Sequence, residues 1–462
     1  MGGSGRHTFD TAPPPAAPSP AAERPTRRRF VAGVAAAGGV LAAACEAPGG
    51  GAMDARQGAK PVKIIWAIWK GPTLLEAQRD GALLYRQKHA HVSFELVPFD
   101  SQQENITPWL GGSGPHIAMN WGTPMIDTAR QGLYTILDPY IKRDGRAIPL
   151  NDYIEFQLKA QQVPGMGQYG LPMYIAVYAL LYNKQLFQRK GAALPDDGWD
   201  WQKYADASAK VNDQGTGVWG GLNVGNRFGA TKIFQNGGDV IDQRDDRKAA
   251  FTTPAGLEAL QWIHDRLWKD RSWAHTTEPR NAGFKDRFAM LTGGKLAMTE
   301  ECASWAIGDV VKDNPNAVAE WDLAVLPRGK QRVSRASIDA WTIWKGAPDQ
   351  DAVWEFMKFL QSVDWLDIQA RMAGYQHPRV SMQDQYLEVV RKGIPAVSAK
   401  NLHAFTHPVK NRYARPDPIF RKDGDAWRIW GEAWEASIVR NEQPVAAAFG
   451  DAARRIEAAM AQ

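Results

Sequence analysis

Four side chains stand where a sequence could place chemistry: the adjacent Glu300 and Glu301, Cys302 directly after them, and Asp339. Two carboxyls can act as acid and base on either side of a glycosidic bond. Neighbouring residues usually point in different directions, however, so Glu300 and Glu301 make a poor pair for that work. Cys302 would need a base to become a nucleophile, and no motif supplies one; a lone cysteine is more often a small buried hydrophobe. The chain has no metal-ligand spacing, no nucleophile elbow and no phosphate loop. These residues favour binding over catalysis, with no catalytic residue, metal or cofactor expected. An exported carbohydrate-active enzyme using Glu300, Glu301 or Asp339 is the alternative.

A chain of 462 residues is too long for one compact core and points to two domains or more. Its net charge is +5, and +3 of that falls in the first 45 residues, which carry five Arg against Asp10 and Glu23. The remainder is close to neutral, which argues against a nucleic-acid surface. Residues 1–25 are rich in Pro, Ala and Gly and cannot bury enough apolar surface to order themselves. A basic run, Arg27-Arg28-Arg29, then precedes a short apolar stretch from Ala32 to Ala44. That order is an export signal, too short for a membrane span, and Thr26-Arg27-Arg28 with Phe30-Val31 resembles the twin-arginine type. Leu41-Ala42-Ala43-Ala44-Cys45 resembles a lipoprotein cleavage site with Cys45 as the lipid-bearing residue. The plainer reading is an ordinary small-residue cleavage site. Either way the mature chain works outside the cytoplasm, and with Cys45 lipidated no intramolecular disulfide can form.

Residues 46–59 read as a Gly-rich tether. Lys60 to Trp69 reads as a first strand, Thr73-Leu74-Leu75-Glu76 has capping-box spacing, and Val92 to Phe99 alternates as a second strand. Such a βαβ opening implies a parallel sheet with ligands beyond the carboxyl ends of its strands. Trp69, Lys70 and Asp100 fall at that edge, as do Asn120 and Trp121 after the strand from His116. Gly170-Leu171-Pro172 then feeds an unbroken apolar run from Tyr174 to Tyr182, which reads as a buried strand.

Gly170-Leu171-Pro172 followed by Leu180-Leu181-Tyr182-Asn183-Lys184-Gln185-Leu186-Phe187 resembles the extracellular solute-binding proteins of ABC transporters, in the sugar-binding group that includes maltose-binding protein. Gly132-Leu133 with Leu137-Asp138-Pro139-Tyr140-Ile141, Gly294-Lys295-Leu296-Ala297-Met298 with Trp305, and Gly374 to Arg379 extend the resemblance. The chain departs from the family pattern at His116, where an Asp is usual, and at Ser337-Ile338, where glycines are usual.

The resemblance implies an α/β, two-lobed periplasmic-binding-protein fold of type II, each lobe a sheet flanked by helices with the ligand cleft between them. Lobe 1 would comprise residues 60–172 and 326–378, and lobe 2 residues 173–325 and 379–462, with crossings near Leu171, Leu323 and His377. Residues 1–45 would be the signal. The implied function is capture of a mono- or oligosaccharide by lobe closure and its delivery to the membrane permease of an ABC transporter, by a monomer held at the outer face of the membrane through Cys45. A non-sugar ligand such as a phosphodiester is kept open by Lys70 and Arg379. Sugars have hydroxyl rims and C–H faces, which carboxylates, amides, Arg and aromatic rings match. On that basis Trp69, Lys70, Asp100, Asn120, Trp121, Tyr174, Gly238, Asp239, Glu301, Trp305, Asp339, Trp341 and Arg379 are the candidate ligand-binding residues. About half of the five aromatic residues among them should touch ligand, whereas Trp262, Trp321 and Trp354 read as core.

Overall fold

The computed structural model describes residues 60–222, 225–313 and 320–461. Residues 1–59, on which the expected export signal, Cys45 and the expected tether fall, lie outside them. Eight strands carry the architecture: β1 (Val62–Trp69), β2 (Val92–Phe99), β3 (Ile117–Trp121), β4 (Gly170–Pro172), β5 (Tyr178–Asn183), β6 (Met298–Ala303), β7 (Trp321–Ala324) and β8 (Asp339–Ile343). They form two sheets, one ordered β2-β1-β3-β8-β4 and one ordered β6-β5-β7. Each is the centre of a lobe.

In the first sheet β1 runs parallel to β2 and β3, with Trp66 opposite Leu96 and Trp69 opposite Phe99. β8 returns antiparallel between β3 and β4. The apolar, partly β-branched run of β1 buries Ile64, Trp66, Ala67 and Ile68. Trp66 meets Phe356, Trp365 and Trp341 at ring-centroid distances of 5.0, 5.1 and 5.7 Å. Helix Pro72–Lys88 closes against this cluster at Gly81, where a Cβ would stand 2.3 Å from the Trp365 ring. Only glycine permits that approach.

The capping box does not form. Helix Pro72–Lys88 starts one residue before Thr73, with Gly71 as its N-cap and no side-chain cap bond. Proline at the first helical position has no N–H to cap and a pre-set φ, so the start is fixed there. His116 takes its place without an Asp: its Nδ1 accepts from the Ile65 N–H at 3.4 Å.

All six residues of β5 are buried, as its unbroken apolar run requires. The strand proper begins at Tyr178, four residues later than the run suggests, because Ile175 and Val177 form single bridges to Gln376 and Ala336 instead. These bridges join the three segments in which the chain passes between the sheets. At the third, Gly374 ends helix Val363–Ala373 with φ 76°, and a Cβ there would lie 2.8 Å from the Ser304 carbonyl oxygen.

β6 and β7 flank β5 antiparallel, Met298 opposite Tyr182 and Trp321 opposite Asn183. Asn183 caps helix Lys184–Arg189 by accepting from Leu186 N–H at 3.1 Å. Helices Asp423–Trp434 and Val445–Ala461 pack on this lobe, Trp430 donating its indole N–H to the Asn226 carbonyl at 3.1 Å. Thr253 caps helix Pro254–Trp268, whose Leu260, Ile263 and Leu267 are buried. Trp321 and Trp354 are buried in the core, while Trp262 is half-buried against Trp201, 4.8 Å between rings.

Candidate functional site

A cavity of about 480 Å³ opens at the carboxyl ends of β1 and β3 and is walled on its other side by residues of β5, β6 and the segments between the sheets. Its size lies within the range of small-molecule sites. Seven of the thirteen sequence candidates line it: Trp69, Lys70, Trp121, Tyr174, Glu301, Trp305 and Asp339.

Their positions follow from the strands that carry them. Trp69 ends β1 and Trp121 ends β3, so the two indoles leave the first sheet side by side, perpendicular at 4.9 Å between centroids. Phe99, ending β2, lies parallel to Trp121 at 5.8 Å and braces it from behind. Gln102 fixes the turn below by donating to the Trp121 carbonyl at 2.6 Å. Tyr174 and Tyr375, from two of the crossing segments, stack at 4.1 Å and 21°. Trp305 follows β6 half-buried, edge-on to Phe288 at 6.2 Å. The cavity therefore presents ring faces and edges from both lobes.

Charge is interleaved with these rings. Arg335 holds Asp417 in a two-pronged hydrogen bond, both arms 2.7 Å, and lies 4.5 Å over the Tyr178 ring. Burial works against the Arg335 charge, but Asp417, Tyr178 and Glu301 together outweigh it and keep the guanidinium protonated. Arg227 reaches to 3.8 Å of the same Asp417 carboxylate, and burial pulls its pKa down. Glu301 sits 3.6 Å from Arg287, with burial raising its pKa against the pull of Arg287 and Arg335. Asp339 is 2% exposed, and burial pushes its carboxyl up to about 7 against the Ser337 hydroxyl that donates to it. Ser337 is oriented for this because its oxygen already accepts from the Ala176 N–H at 3.1 Å. The serine thus does work at the cavity floor that a glycine could not.

The other six candidates lie elsewhere. Asn120 points away from the cavity because strand alternation turns it opposite to Trp121; it is fully buried and donates to Thr342 at 2.7 Å. Trp341 is fully buried in the first core against Trp66 and Trp365. Asp100 stays outside the cavity and pairs with Lys70 at 3.0 Å in solvent. Gly238 packs on Ile233, and Asp239 binds Arg415 at 2.9 Å beside a separate cavity of about 780 Å³. Arg379 turns back to donate to the Gln361 carbonyl.

Sequence reasoning missed Tyr178, Arg227, Arg335, Tyr375 and Asp417, all of which line the cavity. Tyr375 lies in the Gly374–Arg379 segment, directly after its glycine, and its place in that segment is the signal that marks it. Arg335 and Asp417 are 82 residues apart, and no local pattern marks the pair.

Glu300 and Glu301 diverge where β6 shifts its register against β5 between Thr299 and Cys302. Glu300 does not face the cleft: it is buried in the second lobe, bonded to Lys232 at 2.8 Å, with that ammonium between 5.1 and 5.8 Å from the rings of Trp201, Tyr204, Phe228 and Trp262. Cys302 is buried too, and its thiol is pushed up to about 12, far from the thiolate a nucleophile needs. Among the described residues no group of three or more His, Cys, Asp or Glu could hold a metal ion. Ring faces, donors and acceptors at one cleft can grip a polar ligand.

The comparisons with known proteins agree with this geometry. Over 282 residues the chain is 24% identical to a protein of Brucella abortus named as a binding protein, covering 59% of this chain and 65% of that relative's length. An ABC substrate-binding protein from Listeria monocytogenes, in complex with cycloalternan, superposes with a TM-score of 0.76 at 16% identity, over 87% of this chain and 100% of its own. A maltose-bound protein of T. maritima gives 0.68 at 18%, over 87% and 99%. UgpB from Mycobacterium tuberculosis, in complex with glycerophosphocholine, gives 0.70 at 16%, over 87% and 98%. At these identities the structures establish the shared two-lobed fold. The profile of bacterial extracellular solute-binding proteins matches residues 71–365, well over half of the sequence, and the chain belongs to that family.

Proposed function

We propose that this protein captures a carbohydrate in the cavity between its lobes and hands it to the permease of an ABC transporter, without chemically changing it. One observation carries the reading: aromatic rings from both lobes line a single cavity with carboxylates and guanidinium groups set between them. Rings stack on the C–H faces of a sugar, and ionised groups make strong hydrogen bonds to its hydroxyl rim. The solved relatives in complex with cycloalternan and with maltose support the same ligand class. A free anion finds less to hold it, since Lys70 is tied to Asp100 and Arg335 to Asp417.

Trp69, Trp121, Tyr174 and Trp305 are the proposed ring contacts, and Glu301, Asp339 and Arg227 the proposed rim contacts. The lobes are proposed to span residues 60–172 with 326–378 and residues 173–325 with 379–462, hinged at the bridged crossings. An extracytoplasmic place follows from the family; attachment there through a lipid on Cys45, and action as a monomer, are part of the proposal. A thermal-shift screen against a sugar panel tests it. A ligand at 100 times its Kd should stabilise the fold by about 2.7 kcal/mol, and a panel that leaves melting unmoved would reject the carbohydrate reading.

A further inference from the structure

The part of the cavity wall that carries Thr123, Pro124 and Arg227 is also a place where the two lobes touch. Thr123 leads from β3 into helix Pro124–Arg130 and so belongs to the first lobe. Arg227 opens helix Arg227–Gln235 of the second lobe. Its Nη1 donates to the Thr123 hydroxyl at 3.2 Å, and its guanidinium lies 4.2 Å over the Trp427 ring. Alongside, Arg130 donates to the Arg421 carbonyl at 2.7 Å and Asp127 accepts from the Gly424 N–H at 3.3 Å. Asp127 and Arg130 also pair with each other at 3.2 Å, which holds both in place. Thr123 is only 1% exposed, so its hydrogen bond is sheltered from competing water.

We propose that Arg227 is a positioning residue that clasps the lobes through Thr123, with Asp127 and Arg130 completing the clasp, so that the cleft closes without waiting for ligand. These three contacts join opposite lobes and are lost when the lobes separate. A ligand shifts an open–closed equilibrium only by its differential affinity for the two states. Contacts made by the protein alone in the closed state reduce what the ligand must supply. Arg227 is suited to this because it belongs to the cavity wall and to the clasp at once. The inference concerns the ligand-free chain and stands apart from the identity of the ligand.

Small-angle scattering on the protein with no ligand added tests it, using wild type, T123V, R227K, R227A and the double variant D127N/R130A. T123V is nearly isosteric and removes only the hydroxyl; Asp127 and Arg130 lie outside the cavity lining. The expected result is a larger radius of gyration for T123V, R227A and D127N/R130A than for wild type, with R227K in between because lysine keeps one donor. Wild-type radii for T123V and D127N/R130A would overturn the proposal. Expansion in R227A with none in T123V would overturn it as well, because Arg227 would then act only through its packing on Trp427. Should R227A fail to fold, T123V and D127N/R130A decide the matter alone.

Discussion

Lowering the pH should weaken ligand binding through Asp339. Its carboxyl is raised from 3.8 to about 7, chiefly by burial. A carboxyl whose pKa is raised by folding adds stability below its unfolded pKa and loses it as pH rises through the folded value. The ligand-free protein should therefore lose stability between about pH 4 and pH 7, by at most about 4 kcal/mol at 1.4 kcal/mol per pKa unit. Arg335, Asp417 and the Ser337 hydroxyl face the same carboxyl and set how much of that penalty remains. A sugar hydroxyl donating to Asp339 favours the ionised form and lowers its pKa in the complex. Affinity should then rise with pH between the bound and free pKa values, about tenfold for each unit of lowering. Isothermal titration from pH 5.5 to 8.5 reads this directly, and buffers of different ionisation enthalpy should reveal proton release near pH 7. Asp339→Asn should flatten the profile and raise the melting point of the free protein above pH 7. A flat wild-type profile, or one that falls as pH rises, would refute the reasoning.

Other perturbations separate site from scaffold. Trp305→Ala should weaken sugar binding by about 1–3 kcal/mol, the scale of an apolar face, with little change in melting of the free protein; Trp341→Ala should instead cost about 3–5 kcal/mol of stability as a core truncation. Calorimetry and melting on both variants would show the contrast. Lys232→Met should destabilise by about 3–5 kcal/mol because Glu300 is left buried and uncompensated, and adding Glu300→Gln should restore much of that loss in denaturant titrations. Cys45→Ala should release the protein from the membrane fraction into the soluble one, and a variant as membrane-bound as wild type would rule out anchoring at that cysteine.

The elements legible in sequence were those whose pattern is local. The unbroken run into Tyr182 marked a strand buried on both faces, and the opening β1–helix–β2 unit marked the edge where Trp69 and Trp121 emerge. Capping chemistry is equally local: Thr253 accepts from the Gly256 N–H and Asp200 from the Lys203 N–H at the starts of their helices. Within a strand, the choice of face was the weak point: Asn120 and Trp121 are neighbours, yet one is locked in the core and the other lines the cavity. Trp341 failed for a related reason, since a large ring suits a core as well as a cleft. Arg335 with Asp417 and Arg227 with Thr123 were invisible because their partners meet only after both lobes have folded. Local periodicity holds no record of such pairs.

The most direct test of the central claim is an isothermal titration of the purified protein with mono- and oligosaccharides, followed by chromatography of the recovered sugar. The account predicts saturable one-to-one binding, lost or weakened in Trp305→Ala, with the sugar recovered intact. A cleaved product, or saturable binding of a glycerophosphodiester with none of any sugar, would contradict it.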